Sequence, residues 1–223
     1  MHPLIRKALD ENRSLMEHES KRLLIEYGLP VPPFCVCSSA EETCTATEQL
    51  GYPVVIKVVS PDILHKSDIG GVKLGLNSAA EVKKAFEDIK QAAQTHGSFR
   101  GVIVYPLQKE GTEIIIGAIY DDQFEHALMF GLGGIFVEIL QDVSFRLIPL
   151  TEYDAREMIE EIQAFPVLTG VRGQSPRDIE SIVDVMLKVS HMVRDHPQIR
   201  ELDLNPIIVY EQGLSVIDAR IVL

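Results

Sequence analysis

The stretch Pro53-Val-Val-Ile-Lys-Val-Val-Ser-Pro-Asp-Ile-Leu-His-Lys-Ser-Asp-Ile-Gly-Gly-Val-Lys-Leu-Gly-Leu76 decides how the rest of the chain is read. It opens with an apolar, β-branched run from Val54 to Val59, broken only by Lys57, and closes with a second short run from Val72 to Leu76. Between them lies a polar loop with His65, Lys66, Ser67 and Asp68, ending at Gly70-Gly71. A lysine inside a buried strand costs stability unless its ammonium meets a partner. A glycine pair lets the backbone turn tightly and bring N–H groups close to an anion. The pattern suits a hairpin that closes over nucleotide phosphates. It also suits an ordinary hairpin whose Lys57 reaches out to water, and the stretch alone leaves both open.

The flanking sequence predicts an α+β protein. Residues 1–13 read as a polar arm. Ser14-x-x-Glu17 starts a helix through Leu15, Leu23, Leu24 and Tyr27, which Gly28 ends. Pro30 to Val36 reads as extended. Ser39-x-x-Glu42 starts a helix that Gly51 stops, and Ser78-x-x-Glu81 starts another through Val82, Ala85, Phe86, Ile89 and Ala93. Gly97 and Gly101 mark a hinge. Strands are predicted at 102–105, 113–119, 127–130 and 143–147, the last with Arg146, and a glycine loop at Gly131-Leu-Gly-Gly134. Helices follow at 151–164 and 176–194, the second capped by Ser175 with Pro176 in its first turn. Short strands at 202–205, 207–210 and 214–219 close the chain. The expected organisation is an arm with the start of the first helix at 1–18, an N-terminal lobe at 19–98, and a C-terminal lobe at 99–223, joined near residues 95–105.

Composition excludes several classes. The 223 residues carry 21 Lys+Arg against 33 Asp+Glu, a net charge of -12. An acidic surface argues against nucleic acid or an anionic membrane as partner, yet a few local cations suffice for a nucleotide. Cys35, Cys37 and Cys44 are odd in number and match no zinc spacing, so free thiols in a reducing compartment are expected. The first residues lack an apolar core of signal-peptide length, and no apolar run approaches the ~20 residues that span a bilayer. The cytoplasm is the expected location.

A second informative stretch lies near the end. Asp203-Leu-Asn205-Pro206 puts two oxygen donors on one face of a strand, and Val216-Ile-Asp218 places a third on the neighbouring strand. Carboxylate and amide oxygens suit magnesium, which keeps several waters and shares the rest of its shell with phosphates. The same residues are turn formers; their conjunction with Lys57 and the Gly-Gly turn favours the metal.

Together these marks resemble the ATP-grasp (beta) subunit of ADP-forming acetyl- or acyl-CoA synthetases, relatives of succinyl-CoA synthetase. The likeness runs from about Glu19 to the end. It rests on Lys21-Arg-Leu-Leu-Ile-Glu-Tyr-Gly-Leu-Pro30, Pro53-Val-Val-Ile-Lys57 and, most specifically, Leu64-His-Lys-Ser-Asp-Ile-Gly-Gly-Val72. Glu113-Ile-Ile-Ile-Gly117, Phe130-Gly-Leu-Gly-Gly-Ile-Phe-Val-Glu138, Arg146-Leu-Ile-Pro149, Asp203-Leu-Asn-Pro206 and Asp218 add to it. Phe124-Glu-His-Ala127 departs from the family's Phe-Gly-Pro turn.

The resemblance implies an ATP-grasp fold, two α+β lobes clasping ATP or ADP with magnesium. It implies Lys57 on the phosphates near Gly70 and Gly71, and the backbone of Val104, Tyr105, Pro106 and Leu107 on adenine. Glu113 would lie near the ribose, Asn205 and Asp218 with Asp203 on Mg2+, and His65 would act as a phosphohistidine relay. The implied reaction is acyl-CoA + ADP + phosphate = acid + CoA + ATP. It needs a CoA-binding alpha subunit, in an α2β2 assembly, because the chain has no CoA-binding Rossmann fingerprint. A non-catalytic nucleotide-sensing module and another ATP-grasp ligase are the rival readings.

Overall fold

The computed structural model describes residues 1–63, 65–171, 173 and 175–223, except the side chains of Ile135 and Glu138. Leu64, first of the quoted histidine string, lies outside the described residues, as does the Glu138 side chain. The chain forms two compact units, Met1–Val31 with Glu110–Leu223, and Pro32–Lys109.

The first unit opens with two helices. Where the sequence predicts a polar arm, the structure has α1 (Pro3–Asp10). Pro3 suits a first turn, His2 Nδ1 accepts from Leu4 N at 3.2 Å, and Ile5 and Ala8 are sealed in the core. The next helix, α2 (Glu17–Glu26), begins after Met16 rather than at Ser14. Glu19 supplies the cap: its Oε2 accepts from Met16 N at 3.0 Å, and Arg13 holds both its oxygens, at 2.5 and 2.9 Å.

The unit Pro32–Lys109 contains β1 (Cys35–Cys37), α3 (Ala40–Leu50), β2 (Val54–Val58), β3 (Val72–Leu76), α4 (Ala79–Gln94) and β4 (Val102–Pro106). Its antiparallel sheet runs β1-β4-β2-β3. Both predicted helix starts hold, since Ser39 Oγ accepts from Glu42 N at 3.1 Å and Ser78 Oγ from Glu81 N at 3.3 Å. Val54, Ile56 and Val58 on β2 share a core with Val82, Phe86 and Ile89 on α4. By strand alternation, Val55, Lys57, Ile103 and Tyr105 occupy the opposite face.

The first unit continues with β5 (Thr112–Asp121), β6 (Glu125–Leu132), α5 (Ile135–Glu138), β7 (Val143–Leu147), α6 (Glu152–Glu161), α7 (Phe165–Thr169), α8 (Ile179–Asp195), β8 (Glu201–Val209), β9 (Leu214–Val216) and β10 (Arg220–Val222). Its sheet runs β10-β8-β5-β6-β7, with β9 also on β8, antiparallel throughout. Ile114, Ile116, Leu128, Phe130, Leu202 and Leu204 build one core with Met158 of α6, Met186 of α8 and Leu24 of α2.

Several predicted boundaries move, each for a local reason. α8 starts three residues late because Asp178, not Ser175, caps it: Asp178 Oδ1 accepts from Ser181 N at 3.0 Å. The predicted helix 151–164 ends at Glu161, and α7 starts anew with Pro166 in its first turn. Gly131 and Leu132 belong to β6 rather than to a glycine loop. β8 runs through Pro206, where two strands are predicted, because a register shift absorbs the proline. The predicted strand 214–219 stops at Val216 as β9, and β10 follows beyond it at Arg220–Val222. The lobes expected to divide at 98/99 divide at 31/32 and 109/110. Ile5, Leu23 and Leu24 pack into the core of β5 and β8. The Gly97–Gly101 turn is no hinge: Phe99 stacks edge-on against Phe86 at 5.7 Å, and Gly101 O accepts from Val59 N at 2.9 Å.

Candidate functional site

In the unit Pro32–Lys109, Lys57 is 6 % exposed, the one charged residue of a strand buried along its length. Its Nζ stands 5.3 Å from the centroid of the Tyr105 ring, a cation–π contact made diagonally across β2 and β4, where Val55 faces Tyr105 and Lys57 faces Ile103. Burying an ammonium is costly, and a cation–π contact to an aromatic face offsets part of that cost.

The loop after β2 carries His65, which is exposed. Its far end is a tight turn: Gly71 N donates to Lys66 O at 2.8 Å and Gly70 N to Ser67 O at 3.0 Å. Gly70 has φ +70, a left-handed conformation that favours glycine. A Cβ on Gly71 would stand 2.8 Å from Lys66 O and 2.9 Å from a Val58 methyl. Both glycines are therefore required by the turn itself.

On β4, Val104 is paired on both sides, with Cys35 and with Ile56. Past it β1 ends, and Leu107 N donates to Pro53 O at 2.9 Å. Antiparallel alternation then turns the Pro106 carbonyl toward the side that β1 has left, where Gln108 Nε2 donates to it at 2.8 Å. Of the four predicted adenine readers, Pro106 thus offers an acceptor and no N–H.

The other predicted residues lie in the first unit. The β8–β9 and β8–β10 pairings keep one register, which sets Asp218 across from Asn205 and Arg220 across from Asp203. Leu202 and Leu204 enter the core, so Asp203 lies on the outer face; Asn205, at the register shift opposite Ile115, is exposed. Asp203 faces Gly117 on β5. Glu113, exposed on the same face of β5, lies four residues from Gly117, roughly 13 Å along the strand. Its carbonyl accepts from Gly133 N at 2.8 Å.

Asp203 has the unusual electrostatics. Its Oδ1 is sealed from water without a hydrogen-bond partner among the described residues. Burial first, then Glu201, pushes its carboxyl up to about 6; Arg220 pulls the other way and Asp218 adds to the rise. A carboxylate destabilised by burial and by two like charges is a place for a cation. Asp218 Oδ1 accepts from Ala219 N at 2.8 Å. Among the described residues no three His, Cys, Asp or Glu side chains form a metal-binding group; here one of three donors is the Asn205 amide. That set of hard oxygen donors fits magnesium.

Sequence reading missed Tyr105 as the partner of Lys57, and Glu201 and Arg220 as neighbours of Asp203. Period-two alternation along Glu201-Leu-Asp203 was a usable signal for Glu201. Tyr105 and Arg220 depend on cross-strand register, which only the fold supplies.

Comparison with known proteins places the chain in a family. The ATP-grasp domain family matches residues 7–223. The beta subunit of acetate–CoA ligase (ADP-forming) I of Pyrococcus furiosus is 48% identical over 223 residues, 99% of this chain and 96% of that one. Acetate–CoA ligase (ADP-forming) I of Archaeoglobus fulgidus is 42% identical, over 99% of this chain but 32% of that longer one. Acetyl-coenzyme A synthetase 1 of Ca. Korarchaeum cryptofilum, solved with coenzyme A and Ca-AMPCP, superposes with a TM-score of 0.96 at 44% identity, covering 99% of this chain and 98% of that chain. The same protein solved with coenzyme A and Mg-AMPPCP, its phosphohistidine segment pointing towards the nucleotide binding site, gives a TM-score of 0.88 at 43% identity and the same coverage. The chain belongs to the ATP-grasp domain family and, within it, to the family of the beta subunits of ADP-forming acetate–CoA ligases.

Proposed function

We propose that the chain is the nucleotide-binding beta subunit of an ADP-forming acyl-CoA synthetase, an acid–thiol ligase interconverting acyl-CoA, ADP and phosphate with acid, CoA and ATP. The observation that carries this is its end-to-end likeness to a separate beta subunit, where the longer relative holds the same segment as a third of its chain. That contrast argues for a CoA-binding alpha subunit as partner; the α2β2 assembly and a cytoplasmic location are part of the proposal that the family resemblance implies. Among the described residues no helix is long and apolar enough to cross a membrane.

The residues divide the work of holding the nucleotide. Lys57 neutralises the nucleotide phosphates from its buried place on β2 beside the Tyr105 ring. The Gly70–Gly71 turn gives backbone close access to them. Of Val104, Tyr105, Pro106 and Leu107, the Pro106 carbonyl takes the adenine amino group in place of Gln108 Nε2. Glu113 holds the ribose. Asp203, Asn205 and Asp218 would hold magnesium, which when bound neutralises phosphate charge, the main requirement of phosphoryl transfer along with positioning.

His65 is the nucleophile. A ring nitrogen, unprotonated, forms a P–N bond as the P–N bond of the partner's phosphohistidine breaks. That bond then breaks in turn as the terminal oxygen of ADP bonds to phosphorus, giving ATP and restoring the imidazole. The test is to incubate the complex with Mg-ATP and map acid-labile phosphate. We expect it on His65, and His65→Ala should bind ATP yet lose acyl-CoA synthesis. A fully active His65→Ala complex would sink the relay and leave a nucleotide-binding unit.

A further inference from the structure

The loop that bears His65 is tied down at both ends, and one tie belongs to no role assigned above. On the β3 side, Gly71 O accepts from Val58 N and Gly71 N donates to Lys66 O, each at 2.8 Å. On the β2 side, Val59 N donates to Gly101 O and Arg100 N to Val59 O, each at 2.9 Å. Ser60 Oγ accepts from Asp62 N at 3.1 Å. Asp62 Oδ2 then accepts from both the amide of Ser98, at 2.8 Å, and its hydroxyl. Ile63, the next residue, is buried in the core of this unit. His65 follows two residues later.

The anchor for Asp62 is itself fixed. Phe99, beside Ser98, stacks on Phe86 in the core. Gly97 is pressed so close that a Cβ there would stand 2.9 Å from Asp62 Cβ. The two Ser98 bonds, hydroxyl first, hold the Asp62 carboxyl below the usual carboxylate range, so both are made to a charged acceptor. Asp62 is exposed, and a charged contact in water adds little to global stability. What it adds is position: it pins the chain just ahead of the buried Ile63, three residues before the proposed nucleophile.

We infer that Asp62, latched to Ser98, is a positioning residue for His65 that fixes the base of its loop for phosphoryl transfer. The inference rests on the reading of His65 as relay. Misplacing a reacting group by about 1 Å can cost ~10²-fold in rate. Asp62→Ala should therefore lower kcat of the complex, assayed with acetate, CoA and Mg-ATP, by roughly ten- to a hundred-fold, while KM for ATP and the melting temperature stay at wild-type values.

Asp62→Asn keeps an acceptor oxygen for Ser98 and should recover most of the lost kcat, which a need for the negative charge alone would not allow. On the isolated chain, hydrogen exchange of amides 62–71 should quicken in Asp62→Ala and stay slow in Asp62→Asn. Wild-type kcat in Asp62→Ala, or unchanged exchange, overturns the latch. If His65→Ala stays active, the relay has failed instead, and the exchange measurement still decides whether the latch exists.

Discussion

Lys57 is the one polar residue on a strand buried along its length, a costly place for a lysine. Lys57→Met keeps the stem and removes the ammonium. It gives up a cation–π contact of about 0.5–2 kcal/mol and regains desolvation of similar size. The melting temperature should therefore move by only a few degrees while ATP affinity collapses; unchanged affinity on calorimetric titration would return Lys57 to a structural role. Asp218→Ala removes one of the three proposed magnesium ligands, the other two being Asn205 and the sealed Asp203. Mg-ATP binding should weaken and phosphoryl transfer stop, with circular dichroism unchanged. Normal turnover of Asp218→Ala at limiting magnesium would contradict the metal site. Lys57 stands out in the sequence because a charge interrupts an apolar run, and Asp203 and Asn205 because two oxygen donors alternate on one strand. What surrounds them does not, because Tyr105 and Arg220 reach them through register.

At the scale of elements, the first unit holds a pH-sensitive junction where α1, α2 and α8 meet. His196, just past α8, is 9% exposed. Its Nε2 lies 3.1 Å from Tyr27 Oη at the end of α2, and its ring packs edge-on against His2 at 5.9 Å. Tyr27 also donates to Asp195 at 3.1 Å; burial, then Asp195, pushes its hydroxyl up to about 12. Burial first, then His2 and the chain amine, holds His196 below the usual histidine range of 6.5, with Asp195 and Glu26 opposing. The folded chain therefore binds fewer protons here than the unfolded one. The contribution is present above about pH 6.5 and is lost as pH falls from there through the lower folded value. His196→Gln should cost more melting temperature at pH 7.5 than at pH 5, and an equal cost at both would show that this histidine does not titrate. The elements themselves were legible where a serine or threonine cap competes with nothing, as at Ser39, Ser78 and Thr151. They were misread where Glu19 or Asp178 captured the cap instead.

For the whole molecule, strand and helix periods alternate cleanly along most of the chain and made the α+β class legible, while its ATP-grasp character was legible only through the resemblance of its motifs to a known family. The sequence did not carry the division into units. The N-terminal helices reveal their place only through Ile5, Leu23 and Leu24, which enter the core of β5 and β8, a contact far apart in sequence. The central claim is that this chain handles the nucleotide and leaves CoA chemistry to a partner. The most direct measurement is acyl-CoA synthesis from acetate, CoA and Mg-ATP by the purified chain, with and without its alpha subunit. The account predicts nucleotide binding but no synthesis by the chain alone, and full synthesis once the alpha subunit is added. Synthesis by the chain alone, or none after the partner is added, would contradict it.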